Sequence, residues 1–86
     1  MIKFINSPGT NKGNAIKIID AHNEIDGIDA EYKLICLIFQ IKRKGWDFLK
    51  QELYKEDDSF YDRLVIEDSD GKICSYWFDI TEFFGK

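Results

Sequence analysis

Apolar positions change their spacing along this chain, and the spacing predicts the elements. Ile2 to Ile5 is a short β-branched and aromatic run that reads as a strand. Ala15 to Ala21 carries three isoleucines, which favour a strand. Ala15, Ile18, Ile19 and His22 also share one helical face, and the strand is the preferred reading. From about Asp29 or Ala30 to Lys44 the spacing is that of a helix. Tyr32, Ile35, Cys36 and Phe39 form a stripe that Leu34, Leu37, Ile38 and Ile41 widen to most of the circumference. A helix so apolar is expected to be buried on more than one side. Asp26 or Asp29 is the expected N-cap. Asp29 and Glu31 then suit the positive end of the dipole, Lys42, Arg43 and Lys44 suit the negative end, and Gly45 provides the stop.

Trp46 to Tyr54 fits a helix by propensity and a strand by context, and the strand is preferred because a hairpin follows. That hairpin runs from Tyr61 to Glu67, turns at Asp68-Ser69-Asp70-Gly71 and returns from Lys72 to Asp79. Placing Glu67 opposite Lys72 makes a favourable charge pair. In that register Ile66 faces Ile73, Val65 faces Cys74, Arg63 faces Tyr76 and Asp62 faces Trp77. Leu64, Ile66, Ile73 and Trp77 then share one face, and Tyr61, Val65, Cys74, Tyr76 and Phe78 share the other. Neither face is polar, so both need covering. Asp79-Ile80-Thr81-Glu82 has capping-box spacing and predicts a short helical turn carrying Phe83 and Phe84, ended by Gly85. The expected fold is therefore α+β: one long buried helix on an antiparallel sheet of three to five strands, with a short C-terminal helical turn.

Composition narrows the picture. The chain has 86 residues with 15% aromatics, so residues 1–86 form a single compact domain and a doubly wound nucleotide-binding domain is excluded by length. A core this small is marginal, and 13 isoleucines with 13 aromatics are its visible compensation. No apolar run approaches the roughly 20 residues of a membrane span; the longest is Leu34 to Phe39. Met1-Ile2-Lys3-Phe4 lacks the layout of a secretory leader, and Cys36 and Cys74 read as two reduced core thiols, so a cytoplasmic protein is expected.

Charge divides unevenly. The net charge is −4, but residues 46–86 hold 5 basic and 11 acidic groups, so the sheet-forming half is the acidic half. Such a surface favours a basic protein partner and disfavours nucleic acid. Lys42-Arg43-Lys44 is the one basic cluster, and helix-end electrostatics account for it.

Candidate chemistry is sparse. His22 stands among Asp20, Glu24 and Asp26, with no neighbouring nucleophile in sequence. Asp68-Ser69-Asp70-Gly71 lacks the flanking ligands of a calcium loop. The turn-rich segment Asn6 to Asn14 holds Gly9, Thr10, Asn11, Lys12 and Gly13 without P-loop order, although its amides could cradle a phosphate. No metal, cofactor or catalytic constellation is expected. Tyr76-Trp77-Phe78 sends large rings to both sheet faces, and aromatics are enriched at interfaces.

Two functions lead, with a small enzyme centred on His22 and its nearby carboxylates as a third reading. The first is a non-enzymatic, acidic protein-binding module, of the inhibitor or immunity type, recognising its target through Tyr76, Trp77, Phe78, Asp57, Asp58 and Asp62. The second is an oligomeric binder that holds a nucleotide-like molecule between aromatic rings, with Gly9, Thr10, Asn11, Lys12 and His22 near it. A homo-oligomer is one expected cover for the second sheet face.

Overall fold

A computed structural model describes residues 2–5 and 8–85. The chain is α+β: one 19-residue helix lies on a five-stranded mixed sheet. In chain order the elements are β1 (Lys3–Ile5), β2 (Ile16–Ile19), α1 (Glu24–Lys42), β3 (Trp46–Glu56), β4 (Ser59–Asp68) and β5 (Ile73–Asp79), with a 3-10 turn at Lys12–Asn14. The spatial order is β1-β2-β5-β4-β3. Both ambiguous segments, 15–21 and 46–54, contain the expected strands. The sheet is not purely antiparallel: β2 runs parallel to β5, with Ile16 opposite Phe78 and Lys17 opposite Asp79. Asn6 and Ser7, at the start of the turn-rich segment, lie outside the described residues, as do Met1 and Lys86.

Helix α1 begins well before the expected Asp29. Asn23, in extended conformation, accepts the amide of Asp26 on its side-chain oxygen at 2.9 Å, so Asn23 is the N-cap and Asp26 lies in the first turn. The other end stops before Gly45. Arg43 takes left-handed backbone (φ 57°), its amide reaches the Gln40 carbonyl at 3.1 Å, and the Lys44 amide reaches the Phe39 carbonyl at 3.0 Å. That double closure satisfies the last carbonyls without glycine. The helix buries one side only: Gly27, Ala30, Glu31, Ile35 and Phe39 face the sheet, while Ile25, Leu37 and Ile41 are exposed. Its apolar circumference overstated burial because a single layer lies beneath it. Cys36 is exposed and Cys74 half-buried, both free thiols, so Cys36 is not the core residue expected.

The hairpin register differs from expectation by one residue. Glu67 faces Ile73, Ile66 faces Cys74, Leu64 faces Tyr76, Arg63 faces Trp77 and Asp62 faces Phe78. The cause is the loop. Asp68 and Lys72 close it, with the Asp68 amide on the Lys72 carbonyl at 2.9 Å. Ser69, Asp70 and Gly71 form a three-residue turn with Gly71 at φ 80°. The Asp68 carboxylate fixes this geometry by accepting the amides of Asp70 at 2.9 Å and Lys72 at 3.0 Å. A one-residue slip exchanges the faces. Leu64, Ile66, Tyr76 and Phe78 therefore point together toward α1, where they join Ile16, Ile18, Ile35, Phe39, Ile80 and Phe83 in the core.

The C-terminal segment makes no helix. Asp79 accepts the Thr81 amide at 3.0 Å and its hydroxyl at 2.6 Å, which closes a local turn. Glu82 does not complete a capping box; it accepts the Asp20 amide at 2.9 Å across the fold. Phe84 stacks on Phe60 with ring centroids 4.0 Å apart, and Phe83 is buried against Gly27 of α1. A Cβ on Gly27 would overlap the Phe83 ring, so the close approach of helix and C-terminal segment depends on that glycine.

Candidate functional site

The corrected register places the sequence-derived candidates in separate environments. Tyr76 and Phe78 are core residues, and Tyr76 meets Phe39 edge-on at 6.2 Å. Trp77 lies half-buried on the opposite face of the sheet. There it packs on Tyr54 at 4.9 Å and under the Arg63 guanidinium at 5.7 Å. Arg63 also donates to Glu52 at 2.9 Å and to Ser75 at 3.1 Å. This outer face is thus closed by a flat layer of its own long side chains, and no second layer of secondary structure covers it among the described residues. Asp57 and Asp58 form the exposed turn between β3 and β4, where Asp57 adopts left-handed backbone (φ 55°), a conformation Asp tolerates. The structure does not bring these residues together with Asp62, which lies on the helix side.

The turn-rich loop is occupied internally. The amides of Gly9 and Asn14 bond to Asn14 and Asn11 carbonyls, and the Asn11 amide donates to the Asn14 side chain at 2.9 Å. The Gly9 carbonyl accepts the Trp77 amide at 2.7 Å, which continues the edge of β5. Thr10 bonds to Asn14, and the Lys12 ammonium is held by the Glu56 carboxylate, which raises the Lys12 pKa. His22 is exposed in the connection from β2 to α1. Among the described residues no group of three His, Cys, Asp or Glu side chains has the geometry to hold a metal ion.

The distinctive chemistry is a pair of buried carboxyls between α1 and β4. Glu31 is 0% exposed and Asp62 3%. Glu31 falls on the Gly27–Ile35–Phe39 side of the helix at four-residue spacing, and Asp62 alternates with Leu64 and Ile66 along β4. Among the described residues neither Glu31 oxygen has a hydrogen-bond partner. The pair interacts through space without a formed hydrogen bond. Burial first, and then the Asp62 charge, push the Glu31 pKa from 4.5 up to about 10. Burial also raises Asp62, opposed by Glu31 and the Gln51 side chain and reinforced by the charge of Glu24. Tyr32, next to Glu31 in sequence, is raised by its own burial and by both carboxylates. At neutral pH Glu31 therefore holds a proton, and the site presents an acid beside a carboxylate.

A cleft of about 140 Å³, which Asp62 lines and Glu31 does not, opens between α1, β3 and the C-terminal segment. Asp62, Glu24 and Gln51 give it polar atoms, and Ile28, Leu53 and Phe83 give it apolar walls. A second groove of about 290 Å³ lies at the other side of the helix, between Phe4 of β1 and Ala30, rimmed by Asp26, Asp29 and Lys33. Lys33 is already paired with Asp29 at 3.2 Å there.

No protein-family model matches the chain, and no curated protein or solved structure matches it. What the site can do therefore rests on its geometry. Sequence reasoning named Asp62 but as a surface residue, and it assigned Glu31 to helix-dipole electrostatics. The available signal for Glu31 was its position four residues before Ile35 and eight before Phe39, on one helical face.

Proposed function

We propose that this protein is a non-enzymatic binding module that recognises another protein through the cleft between α1 and β3. The observation that carries this reading is the combination at the cleft: an acidic floor with Asp62 as its carboxylate, enclosed by apolar walls beside a strand whose large side chains face solvent. Phe48, Leu49 and Leu53 of β3 are 43%, 46% and 55% exposed. Exposed apolar residues around a small acidic depression suit a target that offers a basic side chain ringed by apolar ones. The ammonium or guanidinium meets Asp62, and the aliphatic stem lies along Ile28 and Leu53. The acidic balance of the sheet-forming half speeds encounter with such a target.

The experiment is affinity capture from a bacterial lysate on the immobilised protein at stepped salt. The expected result is a specific protein retained at low and moderate salt and released as salt rises, because screening weakens the charged contact. Failure to retain any protein at low or moderate salt counts against the reading.

A further inference from the structure

The two edges of the sheet are built differently. β1 closes one edge with three residues, whereas β3 leaves eleven at the other. An edge strand of that length presents a row of backbone donors and acceptors to any extended chain. Its side chains say which chain fits. Pairing with β4 sets Lys50 opposite Val65 and Glu52 opposite Arg63, so Lys50 and Glu52 share the outer face. Gln51 lies opposite Leu64 and Leu53 opposite Asp62, so these two share the helix face.

We infer that the β3 edge pairs with β3 of a second copy, antiparallel, about a two-fold axis through Gln51. That register sets Lys50 opposite Glu52 of the second copy and Glu52 opposite its Lys50, on the outer face. It also brings the second copy alongside Leu53, an apolar side chain 55% exposed. The register is selected by charge. Sliding the second copy by two residues in either direction is the smallest slip that keeps side chains on their own faces. One slip sets Lys50 against Lys50 and the other sets Glu52 against Glu52, and like charges directly opposite are unfavourable. The regularly paired stretch is short and centred on Lys50 to Glu52, because Leu49 lies within the irregularity between Phe48 and Lys50. The dimer is one continuous ten-stranded sheet, with the second copy's β3 running past the Leu53 wall of the acidic cleft. It goes beyond the proposed recognition of a different protein but draws on the same strand, with Leu53 at the edge of both surfaces; the oligomeric state tests the dimer, and capture by Asp62→Asn tests the recognition.

The test uses charge exchange read by light scattering on a sizing column and by sedimentation, with circular dichroism to confirm folding. The unmodified protein is expected to be a dimer at high micromolar concentration. Lys50→Glu leaves a strand acidic at both positions, and Glu52→Lys leaves one basic at both; each alone is expected to be monomeric. An equimolar mixture of the two variants restores both pairs, and the dimer is expected to return as a heterodimer. Within one copy Glu52 also meets Arg63 at 2.9 Å and Lys50 at 3.6 Å, so both variants break an intrachain contact and Glu52→Lys, which loses two, has the larger structural cost. Should that variant fail to fold, Lys50→Glu alone decides: it must be folded and monomeric. A monomeric unmodified protein at millimolar concentration overturns the inference and leaves the edge to an extended segment of another protein. Dimeric Lys50→Glu, or a mixture of folded variants that stays monomeric, overturns it as well.

Discussion

Replacing Glu31 by glutamine should stabilise the protein at neutral pH and remove most of its pH dependence. In the native chain Glu31 is held neutral, with its pKa raised by burial to about 10. In the unfolded chain it ionises at its ordinary value of 4.5. A proton is therefore bound by the folded state and released by the unfolded state across that interval. Stability falls as pH rises above 4.5, by about a tenfold change in the folding constant per pH unit, and levels off only as pH passes the folded value. Between 4.5 and about pH 7 the accumulated loss is about 3 kcal/mol. Glu31→Gln keeps the shape of the side chain and leaves it neutral at every pH, so no ionised form remains to favour unfolding. Urea unfolding of both proteins at about pH 4, 5.5, 7 and 8.5 measures the effect. The curves should meet near pH 4 and separate steadily above it, with the variant about 3 kcal/mol more stable near pH 7. Parallel curves across the series, or a variant destabilised at every pH, would refute the buried neutral acid. Asp62 is raised by burial too, so its contribution has the same sign.

Four further outcomes follow from named contacts. Asp68 lies below its ordinary 3.8, held first by the Lys72 amide and next by the Asp70 amide and Lys44; its contribution is present above that value and lost on acidification, so hairpin amides should lose hydrogen-exchange protection first as pH falls below 3.8. Gly27→Ala should lower stability by about 1–3 kcal/mol in thermal unfolding despite the better helix propensity of alanine, because Phe83 is fully packed and cannot yield. Arg43→Gly should raise stability by up to about 1 kcal/mol in the same assay, since the left-handed C-terminal position costs glycine nothing. Phe39→Ala should cost about 3–5 kcal/mol, because Phe39 joins Trp46 and Tyr76 at the centre of the core; near-wild-type unfolding would show that the helix is seated otherwise.

Much of the framework was legible in local chemistry. The isoleucine-rich and aromatic segments formed strands, and the apolar stripe around Ile35 and Phe39 formed the helix. The main failures were matters of phase. Asn23 capped the helix ahead of Asp26, which moved Glu31 from a dipole-facing first turn into the core. Asp68 closed a three-residue loop instead of leaving Glu67 opposite Lys72, which moved Asp62, Tyr76 and Phe78 to the helix side and left Arg63, Ser75 and Trp77 together outside. The apparent need for two covers followed from that register. In the true one, Arg63, Glu67, Ser75 and Asp79 make the outer face mixed in character, and Trp77 is covered by Tyr54 and Arg63. The parallel pairing of β2 with β5 joins segments some sixty residues apart, and no local pattern encodes such a contact. The carboxyl pair has the same origin: it exists because α1 crosses β4, a tertiary fact.

The central claim is that the cleft lined by Asp62 recognises another protein. Its most direct test is side-by-side capture by the unmodified protein, Asp62→Asn and Leu37→Glu, with the retained partner quantified at low salt. Leu37 is exposed on α1 and does not line the cleft. The account predicts that the partner is retained by the unmodified protein and by Leu37→Glu, and is lost or strongly reduced with Asp62→Asn. Equal retention by all three, or loss only with Leu37→Glu, would contradict it.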